Sequence, residues 1–331
     1  MKAGIVGCGS IAQVHAAVLS KMENVTIAGA ADIKAPRAQK LCEEYGGNPY
    51  TSLESMLANE ELNVLHICTP HYLHVPMAQL AAKSGVAVFS EKPPAITYEQ
   101  WGQLLEAGDT VPVGICFQNR YNDSVQYIKE LLNKGDIGKF LGAKAYITWS
   151  RNADYYTDSG WRGEWATEGG GVLINQAIHT MDLLVYLLGR PDGVQARMQN
   201  FHLSDVIEVE DTLEAYITYG NSPVLFFATN GYTDNSPVMV ELVFESVTIR
   251  MEETEISLFW SNEKKECKSF IPEESAGKDY WGSGHRRCIT EFYNALKSSN
   301  TPPIGLPQVK DTVDLVLATY QSAKTESRIE L

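Results

Sequence analysis

Three short runs in the chain carry residue types able to bind an anion, move a proton or steady a developing charge. The first is Gly7-Cys8-Gly9-Ser10-Ile11-Ala12, with the spacing G-x-G-x-x-A. Gly7 permits a tight turn and Gly9 lets the backbone approach a pyrophosphate. Ala12 allows close packing of helix on strand, and the helix N-terminus at Ser10 and Ile11 supplies amides and a positive dipole. Asp32 follows at about the 20-residue distance at which a carboxylate can accept hydrogen bonds from ribose hydroxyls. That carboxylate would repel a 2′-phosphate, which favours NAD over NADP. Arg37 keeps NADP open, because it either reaches such a phosphate or is a solvated helix residue.

The second run, Glu91-Lys92-Pro93, closes an apolar strand. Ligands of parallel α/β sheets bind outside such strand ends. A lysine there can reach a substrate oxygen, though the same three residues also suit a surface turn. The third run begins with Gly169-Gly170-Gly171 and continues into an apolar helix. Ile174, Ala177, Ile178, Met181, Leu184, Val185 and Leu188 form its buried stripe, and Asn175, His179, Asp182 and Tyr186 form a polar line beside it. Buried polar groups need partners, so this line reads either as a cavity wall or as a core histidine satisfied by Asp182 or by backbone. An ordinary histidine titrates near ~6.5, suitable for a base at neutral pH. Between Trp149 and Trp165, the rings of Tyr155, Tyr156, Trp161 and Trp165 could stack on sugar C–H faces, and Arg151 and Arg162 could hold a carboxylate or phosphate. An aromatic-rich packed loop is the other reading of that stretch.

The elements that must position these residues follow from periodicity. Strands are expected at Lys2–Val6, Val25–Ala31, Val64–Cys68, Val86–Ser90 and Val111–Cys116. Helices alternate with them at Ile11–Met22, from Pro36 to about Tyr45, at Leu73–Lys83 and from Thr97 to about Ala107. Alternation of apolar strands with helices predicts a doubly wound parallel sheet covered on both faces. After residue 120 the pattern changes to β-rich segments, several alternating apolar with polar residues, which predicts an antiparallel sheet. Helices are expected near 123–133, at 172–188, at 285–297 and near 309–325. The chain thus divides into a dinucleotide-binding domain, 1–119, and a second domain, 120–331.

Lys and Arg number 27 against 41 Asp and Glu, a net charge of −14. That field disfavours nucleic acid and anionic membrane as partners. The six cysteines are scattered without a C-x-x-C pair, which suggests a reducing compartment and no disulfide framework. No signal-like segment or membrane-spanning run is seen, so the expected location is cytoplasmic.

Taken together and in order, the three runs resemble the Gfo/Idh/MocA oxidoreductase family. The resemblance extends to Thr69-Pro70-His71-Tyr72-Leu73-His74, Asn119-Arg120-Tyr121, Trp161-Arg162 and Gly284-His285, and so covers essentially the whole chain. It implies a Rossmann domain followed by an α/β domain with a large open sheet, which commonly mediates dimers or tetramers. It also implies hydride transfer between a nicotinamide and a sugar, cyclitol or related polyol. Lys92 would lie at the reacting carbon and His179 would act as general acid/base, with Asn175 beside it. The cofactor would be held by Gly7, Gly9, Ser10, Ile11, Ala12, Asp32, Thr69, Pro70, His71, His74, Glu91 and Lys92, with Arg37 nearby. Tyr121, Trp161, Arg162, Asn175 and His179 would line the substrate side with Lys92. The Lys92–Pro93 bond is often cis in such proteins. Two positions depart from the family: residue 175 is Asn where many relatives have Asp, and residue 71 is His where Asn is usual. His71 and His74 lack a third ligand, so no metal is expected. Some relatives are NAD-dependent glycosidases or non-catalytic regulators, and these remain the alternatives to a dehydrogenase.

Overall fold

The computed structural model describes residues 1–270 and 284–331. They fall into two compact units, one of Met1–Tyr121 with the described part of Glu273–Lys310, the other of Asn122–Pro272 with Asp311–Leu331.

The first unit is built on six parallel strands. These are β1 (Lys2–Val6), β2 (Thr26–Ala31), β3 (Asn48–Tyr50), β4 (Val64–Ile67), β5 (Ala87–Ser90) and β6 (Val113–Ile115). Their spatial order is β3-β2-β1-β4-β5-β6, so the order reverses at β1. The crevice outside that reversal is where open α/β sheets bind ligands, and Gly7 to Ser10 lie there. Helices α1 (Ser10–Leu19), α2 (Ala35–Tyr45), α3 (Leu53–Asn59), α4 (His74–Lys83) and α5 (Tyr98–Gly108) complete the alternation. Strands β4 and β5 are buried at every position, as expected for strands covered on both faces. Pro36 opens α2, and Thr97 caps α5 by accepting from the Gln100 amide.

Two features of this unit lie outside the expected pattern. Strand β3 and helix α3 fill a stretch left unassigned from the sequence. Their apolar signal is weak, for β3 has no fully buried residue and α3 buries only Leu53 and Met56. The helix α9 (Gly284–Lys297) returns to this unit, placing Cys288, Ile289, Phe292 and Tyr293 in one cluster with Ile5, Phe89 and Cys116. A cut near residue 119 leaves this return out, because periodicity reveals an apolar helix face but not which core covers it.

Among the described residues the second unit holds nine strands. These are β7 (Phe140–Thr148), β8 (Gly193–Gln199), β9 (Thr212–Tyr219), β10 (Ser222–Thr229), β11 (Met239–Phe244), β12 (Val247–Glu252), β13 (Glu255–Trp260), β14 (Lys265–Ser269) and β15 (Ile329–Glu330). Their order is β14-β13-β12-β11-β7-β10-β9-β8-β15. All neighbours are antiparallel except β7 and β10, which run parallel. In β9, Leu213, Ala215 and Ile217 are buried while Glu214 and Tyr216 are exposed, the alternation of a sheet with one open face. Four further helices belong here: α6 (Asp123–Lys134), α7 (Ala153–Thr157), α8 (Ile178–Leu188) and most of α10 (Leu306–Thr325). The helix expected over 172–188 is present, its first turn, Leu173–Ala177, being a π-turn that runs directly into α8.

The start of that π-turn is held by a buried carboxylate. Glu210 accepts from the Gly171 amide at 2.8 Å, the Leu173 amide at 3.1 Å and the Tyr320 hydroxyl at 2.8 Å. The Tyr320 oxygen in turn accepts from the Ile174 amide at 3.1 Å. These bonds satisfy amides that a helix start otherwise leaves orphaned. The close approach explains the glycines, since a Cβ at Gly171 would lie 1.9 Å from the Glu210 carbonyl oxygen and one at Gly170 2.1 Å from the Tyr320 hydroxyl. Among the described residues no helix is long and apolar enough to cross a membrane.

Gly171→Ala is expected to cost about 3 kcal/mol through this overpacking and to lower the thermal midpoint by roughly 6–12 °C. An unchanged midpoint would contradict the packing.

Candidate active site

The first unit forms a cradle at the end of β1. Gly7 has φ 83°, and a Cβ on it would sit 2.6 Å from the Cys68 carbonyl oxygen, so only glycine serves. Gly9 precedes α1 with nothing within 4 Å of where a Cβ would be. No side chain caps the helix there, which leaves its first amides open to an anion. Ser10 is exposed, Ile11 is half-buried against the core, and Ala12 is fully buried where α1 meets the sheet. Asp32, at the end of β2, is clamped by two backbone amides: Oδ2 accepts from Cys8 and Oδ1 from Lys34, each at 2.8 Å. Its carboxylate is therefore fixed beside the glycine turn. Arg37 stands exposed in the first turns of α2. The hydroxyl of Thr69 is buried without a hydrogen-bond partner among the described residues. An open helix terminus, a clamped carboxylate and an orphaned hydroxyl suit a dinucleotide.

Behind β5 lies a connected chain of buried polar groups. Glu91 accepts from His15 Nε2 at 3.0 Å, His15 Nδ1 faces His66 Nδ1 at 2.9 Å, and His66 Nε2 faces the Tyr293 hydroxyl at 2.9 Å. Every contact is satisfied if His15 is protonated on Nε2, His66 on Nδ1, and Tyr293 donates. The chain ends at the Glu91 carboxylate. Burial pushes its pKa up, but the His15 hydrogen bond and the charges of His15, His285 and Lys92 outweigh burial and hold it below 4.5. His15, Glu91 and Cys116 offer ligand-type atoms within 4.8 Å of one another, and hydrogen bonding accounts for the His15–Glu91 contact without a metal. Lys92 follows Glu91, is partly exposed, and its bond to Pro93 is cis.

His74 is buried, with its ring spanning the carbonyls of Pro93 at 2.8 Å and Thr69 at 2.9 Å. It ties the loops after β4 and β5 together and so acts on the cradle through the backbone. His71 is buried beside it, Pro70 is half-buried at the turn, and Tyr121 packs against the first unit's core.

In the second unit, residues 171–185 are buried except for Asn175 and His179. Asp182, expected on the same polar line, instead turns into the core and accepts from the Thr312 hydroxyl at 2.8 Å. Tyr186 is half-buried and receives Gln126 and Lys129. Asn175 Nδ2 donates to Glu168 at 2.5 Å and approaches the Tyr155 hydroxyl at 3.4 Å. Gln176 donates to the same hydroxyl at 2.9 Å and accepts from Asn230, which also donates to Tyr156. Arg162 lies over the rings of Tyr155 and Trp161, 4.4 and 4.8 Å from their centroids, with its Nε buried and without a hydrogen-bond partner among the described residues.

The aromatic stretch sorts itself by burial. Tyr156 is a core residue, and Trp165 packs edge-on to Tyr320 beneath Lys324. Arg151 bonds to Ser150 and Asn235. Tyr155, Trp161 and Arg162 remain as the partly open group. Glu168, Glu210, Gln176, Asn230 and Tyr320 were not singled out from the sequence, because long-range buried hydrogen bonds leave no periodic trace. The one local signal was Glu168 directly before the three glycines.

His285 is buried, and burial first, with the charges of His15 and Lys92, lowers its pKa from 6.5 to about 4 against the pull of Glu91. Between those values the unfolded chain binds a proton that the folded chain does not. Stability is therefore expected to be complete above pH 6.5 and to fall as pH drops toward 4. Urea midpoints should decline over that window, less steeply in His285→Gln; an equal slope in the variant would refute the assignment.

Comparison with known proteins bears on these two sets of residues. Residues 1–113 match the oxidoreductase family with an NAD-binding Rossmann fold, Gfo/Idh/MocA, and residues 125–250 match a Gfo/Idh/MocA C-terminal domain. The D-glucoside 3-dehydrogenase of Escherichia coli strain K12 is 25% identical over 356 residues, spanning 100% of this chain and 97% of that protein. The WlbA dehydrogenase of Chromobacterium violaceum, solved with NADH and UDP-GlcNAcA, is 26% identical with a TM-score of 0.88, covering 100% of this chain and 96% of its own. That of Bordetella pertussis, solved with the same two ligands, is 27% identical with a TM-score of 0.86, over 100% and 98%. Both halves of the chain thus carry one family's pattern in its usual order, and the protein belongs to the Gfo/Idh/MocA family of NAD(P)-dependent oxidoreductases.

Proposed function

We propose that this protein transfers a hydride between NAD and a CH–OH or C=O carbon of a sugar, cyclitol or sugar derivative, with Lys92 and His179 as its acid/base pair. The observation that carries the reading is the exposure pattern of residues 171–185, where Asn175 and His179 alone are open in a buried stretch. Polar residues at the two half-open positions of an otherwise sealed stretch suit the wall of a binding cleft.

Bound NAD supplies the hydride acceptor. As hydride leaves the substrate carbon, the hydroxyl proton must leave too, and His179 takes it directly or through Lys92. The Lys92 ammonium steadies the alkoxide-like oxygen, and the Glu91 carboxylate beside it is kept ionised by the His15 hydrogen bond. Gly7, Gly9, Ser10, Ile11 and Ala12 would seat the pyrophosphate. Asp32 would take the adenosine ribose and favour NAD, and Thr69, Pro70, His71 and His74 would shape the nicotinamide end. Asn175 would orient the substrate, since its amide cannot take a proton.

Relatives named for glucoside oxidation, and others solved with a nucleotide sugar acid, support a pyranose substrate. Arg162 over Tyr155 and Trp161 suits one carrying a carboxylate or phosphate. The second unit's sheet also presents Tyr216 and Leu225, paired in register and 45% and 51% exposed, a face suited to a dimer or tetramer.

Nicotinamide absorbance across sugars, cyclitols, uronic acids and sugar nucleotides tests the reaction. Wild type should turn over cofactor with at least one class. Lys92→Ala and His179→Ala should each lose roughly 10²–10⁴ in kcat while still binding NADH. Turnover unaffected by both substitutions, or none by wild type over the panel, would overturn the reading. Light scattering should find an oligomer at micromolar concentration, and a monomer there would rule out the sheet as an interface.

A further inference from the structure

We infer that Asn119 is a further cofactor residue, whose side-chain oxygen accepts a hydrogen bond from the carboxamide NH₂ of the nicotinamide. The inference rests on NAD binding by the first unit and not on the roles given to Lys92 and His179.

Asn119 stands in the short turn Gln118–Tyr121 that follows β6. Its Oδ1 is buried and has no hydrogen-bond partner among the described residues. Other asparagines of the chain behave differently. Asn152, Asn200, Asn235 and Asn262 each use the same oxygen to accept from a backbone amide, those of Tyr155, Leu203, Ser150 and Lys264 in turn. A buried acceptor without a donor is destabilising, and a ligand that brings the donor relieves this on binding. The turn around Asn119 is fixed. Phe117, Gln118 and Arg120 are buried, Arg120 Nη1 donates to the Gln308 carbonyl at 3.2 Å, and Arg287 Nη1 donates to the Tyr121 carbonyl at 3.4 Å. The acceptor is thus held in place before any ligand arrives.

Strand order says which part of the cofactor this acceptor meets. β2, which carries Asp32 for the adenosine ribose, lies on one side of β1, and β4, β5 and β6 lie on the other. With the pyrophosphate at the turn after β1, the nicotinamide half runs over the ends of β4, β5 and β6. Thr69, whose hydroxyl is also buried without a partner among the described residues, follows β4, directly beside β1. Asn119 follows β6, two strands further along. Pairing brings its turn beside the loop that carries Lys92. Ser90 pairs with Ile115, the Cys116 amide donates to the Ser90 carbonyl at 2.8 Å, and Cys116 Sγ lies within 4.8 Å of ligand-type atoms of His15 and Glu91. The far end of the nicotinamide half is the ring, and the ring's one hydrogen-bond donor is its carboxamide NH₂. The Asn119 side-chain oxygen matches it, being an acceptor alone.

Calorimetric titration with NADH, with reduced acetylpyridine adenine dinucleotide and with ADP-ribose tests the contact without turnover. The acetylpyridine analogue keeps the carbonyl oxygen of the carboxamide and replaces its NH₂ by a methyl group. Wild type should bind NADH roughly 3–10-fold more tightly than the analogue, the contribution of one neutral hydrogen bond. In Asn119→Ala the two should bind alike, NADH having weakened to the level of the analogue. Asn119→Asp, which keeps an acceptor at that place, should restore the preference. ADP-ribose, which lacks the ring, should bind wild type and both variants equally. A wild type that binds NADH and the analogue alike would overturn the inference without need of any variant. The same preference persisting in Asn119→Ala would overturn it too, as would an equal loss of affinity for NADH and ADP-ribose, which marks a disturbed cradle. Because these are affinities, a failure of the roles given to Lys92 and His179 leaves them unchanged.

Discussion

The buried helix of the second unit hangs on one carboxyl sealed from water. Glu210 receives two amides from the start of the π-turn and a hydroxyl from α10, and through them fixes where the buried helix begins. A carboxyl sealed from water is tolerable only with such partners. The demand runs outward from it: Tyr320 must reach in, Gly170 and Gly171 must have no side chain, and the following residues must be apolar. Once that start is set, the helix direction decides that positions 175 and 179 come out on the open side. The cofactor half repeats the device with Asp32, clamped by the amides of Cys8 and Lys34.

Much of this was legible in residue types. The glycine turn, the Asp32 distance and the strand alternation dictate the parallel sheet, because each rests on local sterics and period. The polar line on the buried helix was legible only in part. Spacing placed Asp182 with Asn175 and His179, but a wheel cannot know that Thr312 waits on the other side. Nor could it register the π-turn, which alters the angular step just where Asn175 stands. The return of α9 and the partners of Glu168 depend on residues far apart in the chain. Such contacts are set by tertiary packing and leave no signature in a single window.

The net charge of −14 is at first sight a poor setting for an anionic cofactor. The two acidic residues nearest the cradle are, however, already engaged. Asp32 holds backbone amides, and Glu91 is answered by His15 with Lys92 next in sequence. The uncapped amides at the start of α1 lie between them, so the local field can differ in sign from the global one.

The single parallel pairing in the large sheet, β7 beside β10, has a consequence for how this protein can change. Parallel neighbours cannot be joined by a tight hairpin and need a long crossover. Here that crossover is everything from residue 149 to residue 221, and it contains α7, the glycine turn, the buried helix and two strands. Its second half is itself part of the sheet, with β9 paired to β10 along its whole length and β8 paired to β9. The loop between α7 and the glycines lies outside that strand pairing and is held by side-chain packing and hydrogen bonds instead, among them Gly163 to Glu168 and Trp165 to the Glu208 carbonyl. The exposed side chains of such a segment can change while the strand pairing beneath it stays still.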